Sequence, residues 1–281
     1  MLHLIGIGAK KEHINKEMFA VIKNSEKVFM EYYTSFYDDS FEDLSTFLGK
    51  DLIIANRELI ESKIEDEIIN PAKLVDIALL VLGDPLIATT HTDLLLRAKE
   101  AGVKTQIYNN VSIANQIAKT GLQFYKFGKI TSIPFFNEKF MPRTPYLVFY
   151  DNHKIGAHSL FLLDLNPSND IAYKGNRRYL QANEAFDFLL KIPKIMLENE
   201  EIEEKDSMYL DEETPAIICS KLGFKDEKIV YGTIGELSNL DRNINFAEPL
   251  CIIIPGDMHE MEIEYLNQFK IMGSKVGEYQ E

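Results

Sequence analysis

Short apolar runs alternate with single helical patterns through roughly the first 115 residues of this 281-residue chain. The most apolar run, residues 76–83 (DIALLVLG), has the continuous aliphatic character of a strand that is covered on both faces. Strands connected through single helices pair in parallel, so the alternation predicts an α/β sheet. The predicted strands are residues 2–8, 27–33, 51–55, 76–83 and 104–109.

The segments between these strands carry helical patterns with recognisable ends. Apolar side chains recur at helical spacing in residues 14–24. Gly49 and Gly102 stand where glycine commonly ends a helix, and Pro71 ends an acidic amphipathic pattern. The predicted helices are residues 14–24, 41–49, 57–70 and 92–102.

The alternation loosens after about residue 113, which indicates a second α/β domain with a mixed sheet. We therefore predict an N-terminal domain of residues 1–115 and a C-terminal domain of residues 116–281. Pro193 is expected to end or kink a helix, and the polar tail from Gly273 is expected to be mobile. The predicted elements are helices at 145–156, 180–197 and 260–269, strand-like units at 158–166, 216–223, 227–237 and 249–256 with a helix start at 233–237, and an acidic run at 198–206 that is a solvated loop or helix face.

The composition excludes several classes of function. The net charge of −14 argues against a broad nucleic-acid-binding surface and is compatible with long-range attraction of a basic protein substrate. Cys219 and Cys251 lie in apolar runs and are expected as core residues, without a disulfide framework or a zinc site. The chain has no signal-peptide pattern and no apolar run of membrane-spanning length, so we expect a cytoplasmic protein.

The stretch LLVLGDPLIATTH at residues 79–91 contains a candidate ligand site. Ligands of open α/β sheets lie beyond the carboxyl ends of strands, and Asp84 stands at such an end. Pro85 sets the backbone direction, and a carboxylate there can accept hydrogen bonds from an amine or a ribose hydroxyl. In the competing interpretation, Asp84 or Thr92 only caps the helix that begins near His91, and His91 is a capping or packing residue.

Two further strand ends carry glycine-rich or polar turns. Gly6 and Gly8 allow a ligand close to the backbone, but Lys11 occupies the third glycine position of the dinucleotide fingerprint, which disfavours a nicotinamide site. Asn110 and Ser112 lie between a strand and a helix, where free amides can bind polar groups. The sequence has no nucleophile elbow, Walker A motif or metal-ligand spacing. A ligand site built mainly from backbone and a few polar groups remains.

Several stretches, in chain order, resemble the diphthine synthases, a family within the tetrapyrrole-methylase-like group of S-adenosylmethionine-dependent methyltransferases. The resemblance covers nearly the whole chain, and its most specific parts are GDPLIATTH at residues 83–91 and GLQFYKFG at 121–128. The chain departs from the family at residues 9–13 (AKKEH), where Gly-Asp is usual, and at Cys251, where a histidine is common. The other matching stretches are LIGIG, EYYTS, NRELIE, NNVSIANQIAKT, LLDL, ANEA and IIPGDMHEMEIEYL.

The resemblance implies two α/β domains of the tetrapyrrole methylase type, with S-adenosylmethionine in the cleft between them, and a homodimer. It implies methylation of a modified histidine, 3-amino-3-carboxypropyl-histidine, on elongation factor 2 in diphthamide biosynthesis, with no metal, nucleic acid or membrane. A sulfonium methyl donor is already activated, so alignment and exclusion of water can drive the transfer, and we identify no catalytic residue. By position, the implied cofactor-binding residues are Ala9, Asp84, Ile87, Ser112, Ile113, Leu163, Leu222, Leu250 and Cys251.

The product and the reaction class leave alternatives. Residues 41–58 and 247–250 look closer to the eukaryotic form of the family, which adds a fourth methyl group to give diphthine methyl ester. The archaeal form stops at three methyl groups. The alternatives are a tetrapyrrole C-methyltransferase of the same fold, a nicotinamide-dependent oxidoreductase and a non-catalytic adaptor of elongation factor 2. The aromatic residues of QFYKF (123–127) either wall the cleft or pack in the core.

Overall fold

The computed structural model describes residues 1–166, 177–207 and 209–271. The described residues form helices and two five-stranded sheets, which confirms the predicted α/β class. The polar tail from Gly273 lies outside the described residues.

The chain divides into two compact units. The first unit is Met1–Gln116 together with Asn166 and Gly223–Lys225, and the second contains the other described residues from Ile117 onward. The assignment of two domains, 1–115 and 116–281, stays a prediction.

The first unit contains a sheet whose five strands all pair in parallel. These strands are β1 (Leu2–Gly6), β2 (Lys27–Glu31), β3 (Leu52–Ala55), β4 (Ile77–Val81) and β5 (Thr105–Tyr108). Their order in the sheet is β3-β2-β4-β1-β5, so the carboxyl ends of β4, β1 and β5 are adjacent. Every residue of β1 and β4 is buried, as the apolar run at 76–83 predicted.

Five helices accompany this sheet, and polar side chains begin three of them. The helices are α1 (Lys16–Asn24), α2 (Phe41–Leu48), α3 (Arg57–Ser62), α4 (His91–Glu100) and α5 (Ile113–Gln116). Asn15, Ser40 and Asn56 each accept a hydrogen bond from a backbone amide in the first turn of α1, α2 and α3. Gly49 ends α2 in the left-handed conformation, as predicted.

The single acidic helix predicted over residues 57–70 is wrong. The structure has α3, then a π turn at Glu65–Ile69 and a 3₁₀ turn at Pro71–Lys73. The neighbouring residues Ile68 and Ile69 are both buried. An α-helix turns adjacent residues about 100° apart, and the wider π turn brings both isoleucines into the core.

The second unit contains a mixed sheet. Its strands are β6 (Thr131–Ile133), β7 (Ser159–Leu163), β8 (Pro215–Ser220), β9 (Lys228–Thr233) and β10 (Leu250–Ile254). They lie in the order β6-β7-β10-β8-β9, with β6 and β7 parallel and the other pairs antiparallel. Only β6 lacked a predicted counterpart, because its three residues are too short to carry an alternation signal.

Four longer helices complete the second unit. They are α6 (Thr144–Lys154), α7 (Ala182–Glu198), α8 (Ile234–Ile244) and α9 (Glu260–Leu266). Pro193 does not end its helix, because α7 continues to Glu198, and the alternative of a kink at Pro193 stays a prediction. Pro193 is itself buried, together with Phe186, Leu189 and Ile192, so packing along this face offsets the missing hydrogen bond.

The structure bears on two predictions from the sequence, one about the cysteines and one about membrane-spanning segments. Cys219 and Cys251 are buried free thiols at opposite positions of β8 and β10, which confirms them as core residues. No helix within the described ranges is long and apolar enough to cross a membrane.

Candidate functional site

The loops after β1, β4 and β5 meet at the carboxyl edge of the first sheet. Gly8 and Gly83 exchange two backbone hydrogen bonds of 3.1 and 2.9 Å, which join the first two loops. In the third loop, the side-chain amide of Asn110 donates to the carbonyl oxygens of Gly6 at 2.7 Å and His13 at 3.0 Å. Three stretches that are far apart in the sequence therefore form one continuous surface at the edge where such sheets bind ligands.

The glycines of these loops are needed for two different reasons. A Cβ on Gly6 would stand 2.7 Å from the Gly83 carbonyl oxygen and 2.8 Å from Pro85 Cδ, so only glycine allows this approach. Gly8 and Gly83 have φ values of +66° and +71°, in the left-handed region. A Cβ on Gly83 would meet Ser112 Cβ first, at an ordinary 3.7 Å, so glycine is needed at Gly83 for its backbone conformation and not because of crowding.

Replacing Gly6 by alanine should force the first two loops apart. We expect a loss of about 2–3 kcal/mol in the free energy of unfolding, measured by urea denaturation, together with weaker cofactor binding. Gly102→Ala is the matched control, since a Cβ there meets nothing within 4 Å and only the φ of +75° is strained. Wild-type stability for Gly6→Ala would contradict the close approach at this point.

The Asp84 carboxylate is buried and holds two of the loops together. Its Oδ1 accepts from the Leu86 amide at 2.8 Å. Its Oδ2 accepts from the Asn109 side chain and from the Asn110 amide, both at 3.0 Å. Asp84 therefore shapes its own turn and ties the β4 loop to the β5 loop, and direct contact between Asp84 and a cofactor stays a prediction.

The capping interpretation of this segment is wrong, whereas the packing interpretation of His91 is confirmed. Helix α4 begins at His91, and its N-cap residue Thr90 makes no side-chain capping hydrogen bond. Thr92 lies inside α4 and not at its cap. His91 is only 2% exposed, so direct contact with a ligand would require the segment to open.

The first loop, whose AKKEH sequence departs from the family pattern, has a defined course. The Ala9 amide donates to His13 Nδ1 at 3.1 Å, and the Ala9 carbonyl accepts from the Asp38 amide at 3.0 Å. Asp39 accepts from the Lys11 amide at 2.8 Å and pairs with Lys11 Nζ at 3.0 Å. Burial alone would raise the pKa of Asp39, but these contacts with Lys11 lower it below its usual value.

Gln116 is a polar residue of this region that the sequence analysis did not single out. Its side chain is buried, and Oε1 has no hydrogen-bond partner among the described residues. Within the same unit, Gly223 lies against it, so that a Cβ on Gly223 would stand 3.1 Å from both Ala9 Cβ and Gln116 Nε2. A buried amide oxygen without a partner is a natural acceptor for a ligand's N–H or O–H group. A polar residue within a helix-start pattern gave no signal of this role.

The remaining candidates of the first unit lie on the same loops. Ser112 directly precedes α5, and its carbonyl accepts from the Gln116 amide at 3.0 Å, so it occupies the N-cap position of this helix. Ile113 is the first residue of α5. Ile87 is 41% exposed and is followed by Ala88, whose φ is +56°. An exposed isoleucine beside a strained turn is available for an apolar contact.

The four candidates of the second unit gather at one edge of its sheet. Leu163 ends β7, Leu250 begins β10, and Leu222 follows β8 by two residues. Because β10 runs antiparallel to both β7 and β8, these ends lie side by side. Cys251 pairs with Leu162 across this edge. All four candidates are buried, so they form an apolar rim without a free polar side chain.

The GLQFYKFG stretch is anchored through Glu262 of α9, which is fully buried. Its carboxylate accepts from the backbone amides of Gln123 and His259, both at 2.7 Å. It also pairs with Lys126 and lies 3.0 Å from His158 Nε2. Burial alone would raise the pKa of Glu262, but these donors lower it to about 2.

The aromatic residues that Glu262 holds in place point outward. Phe124 is 55% exposed and Tyr125 is 80% exposed, so the core-packing interpretation is wrong for both. Phe127 packs on His158, with ring centroids 5.3 Å apart. Whether Phe124 and Tyr125 line the cofactor cleft stays a prediction.

Comparison with protein-family models assigns the class of this α/β protein. The model of the Tetrapyrrole (Corrin/Porphyrin) Methylases matches residues 1–238, and the chain belongs to this family. It is therefore a methyltransferase. No group of three or more potential metal-ligating side chains converges in the described part of the chain.

Individual relatives are similar over nearly the full length. A probable diphthine methyl ester synthase from Arabidopsis thaliana is 38% identical, covering 96% of this chain and 98% of the relative. A diphthine synthase from Methanococcus aeolicus is 37% identical, covering 95% and 96%. The crystal structure of a putative diphthine synthase from Entamoeba histolytica superposes with a TM-score of 0.83 at 31% identity, covering 97% and 99%.

Proposed function

We propose that this protein transfers methyl groups from S-adenosylmethionine to the 3-amino-3-carboxypropyl-histidine of elongation factor 2, a step of diphthamide biosynthesis, and forms the diphthine methyl ester. The observation that supports this most is the joined glycine loops at the carboxyl edge of the first sheet, in a chain that matches diphthine methyl ester synthases end to end. The proposed cofactor contacts are Ala9, Asp84, Ile87, Ser112, Ile113, Leu163, Leu222, Leu250 and Cys251.

The residues of the first unit fit the proposed cofactor. Its ammonium, adenine amine and ribose hydroxyl groups need acceptors, and Gln116 Oε1 is a buried acceptor without a partner. The exposed Ile87 offers an apolar contact. A buried hydrogen-bond acceptor and an exposed apolar side chain are thus both available on loops that are tied together.

The sulfonium cofactor supplies an already activated methyl group. The task of this chain is to hold donor and acceptor in line and to keep water out, which can contribute several kcal/mol. The hydrogen bonds of Asp84 and Asn110 serve this task by fixing the loops before a ligand binds. The acceptor amine must lose its proton before it attacks, and we assign no residue of the chain as the base.

The intact mass of elongation factor 2 after the reaction distinguishes a product with three added methyl groups from one with four. We expect elongation factor 2 that carries the unmethylated precursor to gain four methyl increments after incubation with this protein and S-adenosylmethionine, with the fourth lost on mild alkali treatment. Elongation factor 2 with the acceptor histidine replaced is the matched control and should gain none. Growth by three increments would support the archaeal-type product. No growth, with cofactor binding confirmed by calorimetry, would contradict the substrate.

The cellular setting is part of the same proposal. We place the protein in the cytoplasm as a homodimer, with elongation factor 2 as its partner. Two buried free thiols suit a reducing compartment, and the net charge of −14 suits a basic partner surface. Light scattering of the purified protein checks the dimer. The names of the relatives favour diphthamide chemistry over a tetrapyrrole substrate, and nothing observed in the described residues favours an oxidoreductase or a non-catalytic adaptor.

A further inference from the structure

A buried histidine–glutamate pair lies directly behind the proposed cofactor loop. His91 at the start of α4 places Nε2 2.7 Å from Oε2 of Glu31, the last residue of β2. Its other ring nitrogen, Nδ1, lies 3.0 Å from the carbonyl oxygen of Pro85. Both side chains are almost completely inaccessible to water. One imidazole ring therefore connects the sheet to the GDPLIATT segment.

The two contacts determine where protons must sit. A carbonyl oxygen only accepts, so Nδ1 must carry a proton that it donates to Pro85. Nε2 faces a carboxylate oxygen, so a second proton must lie between His91 and Glu31. Neither carboxylate oxygen of Glu31 has a well-aligned hydrogen bond to a described residue. Without a protonated His91, a charged Glu31 would be buried without compensation, which is strongly unfavourable.

We propose that His91 is a positioning residue for the cofactor loop: its doubly protonated ring, compensated by Glu31, holds the Pro85 carbonyl and with it residues 84–90. This inference rests on the proposed function, because it takes that segment to be part of the S-adenosylmethionine site. The Pro85 carbonyl also accepts from Thr89 Oγ1 at 2.8 Å. Ala88 lies between Pro85 and Thr89 and has a φ of +56°, which is a strained conformation. Contacts from outside the turn are therefore needed to stabilise it.

Charged groups on the neighbouring elements are paired with one another. Tyr33 follows β2, and Arg57 of α3 lies over its ring at 5.0 Å while pairing with Glu61 at 2.8 Å. On α4 itself, Asp93 pairs with Arg97. Because these groups compensate one another, we expect the contact between His91 and Glu31 to govern the position of the loop.

The contact between His91 and the Pro85 carbonyl should weaken as the pH rises. Burial lowers the pKa of His91, but the Glu31 carboxylate 2.7 Å away and the Pro85 carbonyl outweigh it and raise the pKa above its usual value. The hold on Pro85 is therefore complete below the ordinary histidine pKa and is lost as the pH rises through the raised pKa. Above that pH, a bare Nε2 lone pair faces a carboxylate, and the ring is driven from its place.

Glu31→Gln is the variant that separates this proposal from a purely structural role. A glutamine amide donates to Nε2 of a neutral ring, so Nδ1–H can still donate to Pro85 at alkaline pH. The test ligand is S-adenosylhomocysteine, the product that the cofactor becomes after it has given up its methyl group. Its dissociation constant is measured by calorimetry from pH 6 to 9.5. Over this range the constant should rise about tenfold more in the wild type than in Glu31→Gln. The ligand's own ammonium titrates in both proteins and cancels in the ratio. Parallel profiles for the two proteins would overturn the proposal.

Nuclear magnetic resonance of the ligand-free protein provides an independent readout. The His91 ring, assigned by its absence in His91→Phe, should be protonated at pH 7, and the amides of Leu86 and Ile87 should follow its titration. A neutral His91 at pH 7, or amides that do not follow it, would overturn the proposal. Failure of S-adenosylhomocysteine to bind the wild type at any pH would instead contradict the proposed function, while the ring titration would still decide the role of His91.

Discussion

Glu262→Leu should lower the free energy of unfolding by about 3 kcal/mol or more, because it removes a buried acceptor from several donors at once. The Gln123 and His259 amides, each 2.7 Å from the carboxylate, would lose their partner inside the protein. Lys126 would lose its ion-pair partner. Urea denaturation at pH 7 measures the loss. The reporter of local change is the 121–128 segment, whose amides should lose protection from hydrogen exchange first.

The control for this variant is Glu260→Leu. Glu260 lies in the same first turn of α9 but is exposed, so its replacement should cost about 0.5 kcal/mol. Equal losses for the two variants would contradict an anchoring role for Glu262.

The same carboxylate makes stability depend on acid. The pKa of Glu262 is lowered to about 2, so its contribution is present above the ordinary glutamate pKa and is lost as the pH falls towards 2. Between pH 5 and pH 3 the wild type should lose more stability than Glu262→Leu, which lacks this group. If the free energy of unfolding fell equally in both proteins between pH 5 and pH 3, the lowered pKa of Glu262 would not contribute to stability.

Asp84→Ala should weaken binding of S-adenosylhomocysteine by at least about tenfold and also reduce stability by about 2–3 kcal/mol. The expectation from the sequence alone is loss of binding with an intact fold. The structure alters that expectation, because the buried carboxylate accepts three hydrogen bonds, from Leu86, Asn109 and Asn110. Calorimetry under conditions where the variant is folded measures the binding, and urea denaturation measures the stability.

Asp93→Ala is the matched control, since Asp93 is an exposed aspartate in the neighbouring helix and pairs with Arg97 on its surface. Its effects on binding and on stability should both be within about 0.5 kcal/mol. A folded Asp84→Ala protein with wild-type affinity would remove Asp84 from the proposed site and leave it as a loop residue.

The sequence determined the class of fold because its signals are local. The apolar run of β4 and the alternation of strands with single helices predict a parallel sheet from spacing alone, and the structure confirms it. The stop at Gly49 is likewise a one-residue signal. Local signals failed where packing decides: the π turn at Glu65–Ile69 and the passage of α7 through Pro193 both depend on which side chains the core accepts.

The sequence also marked the position of the candidate site, at Gly8, Asp84 and Ser112, because strand ends followed by glycine and polar residues are visible without coordinates. What each residue does there was decided by the tertiary structure. Asp84 is an acceptor for two separate loops, and Asn110 is the donor that joins the third. Partners more than 90 residues apart in the sequence, such as Asn110 and Gly6, leave no periodic trace, since hydrogen bonding between them requires the finished sheet.

The same distinction applies to the buried charges. Glu31, His91 and Glu262 look in the sequence like ordinary residues at the ends of strands and helices. How the elements pack decides which partners face these buried groups, and those partners set the direction of the pKa shifts of His91 and Glu262 against the effect of burial. Desolvation and the placement of a counter-charge depend on three-dimensional distance, so the sequence determined which groups are present, and the tertiary structure alone decided which of them face each other.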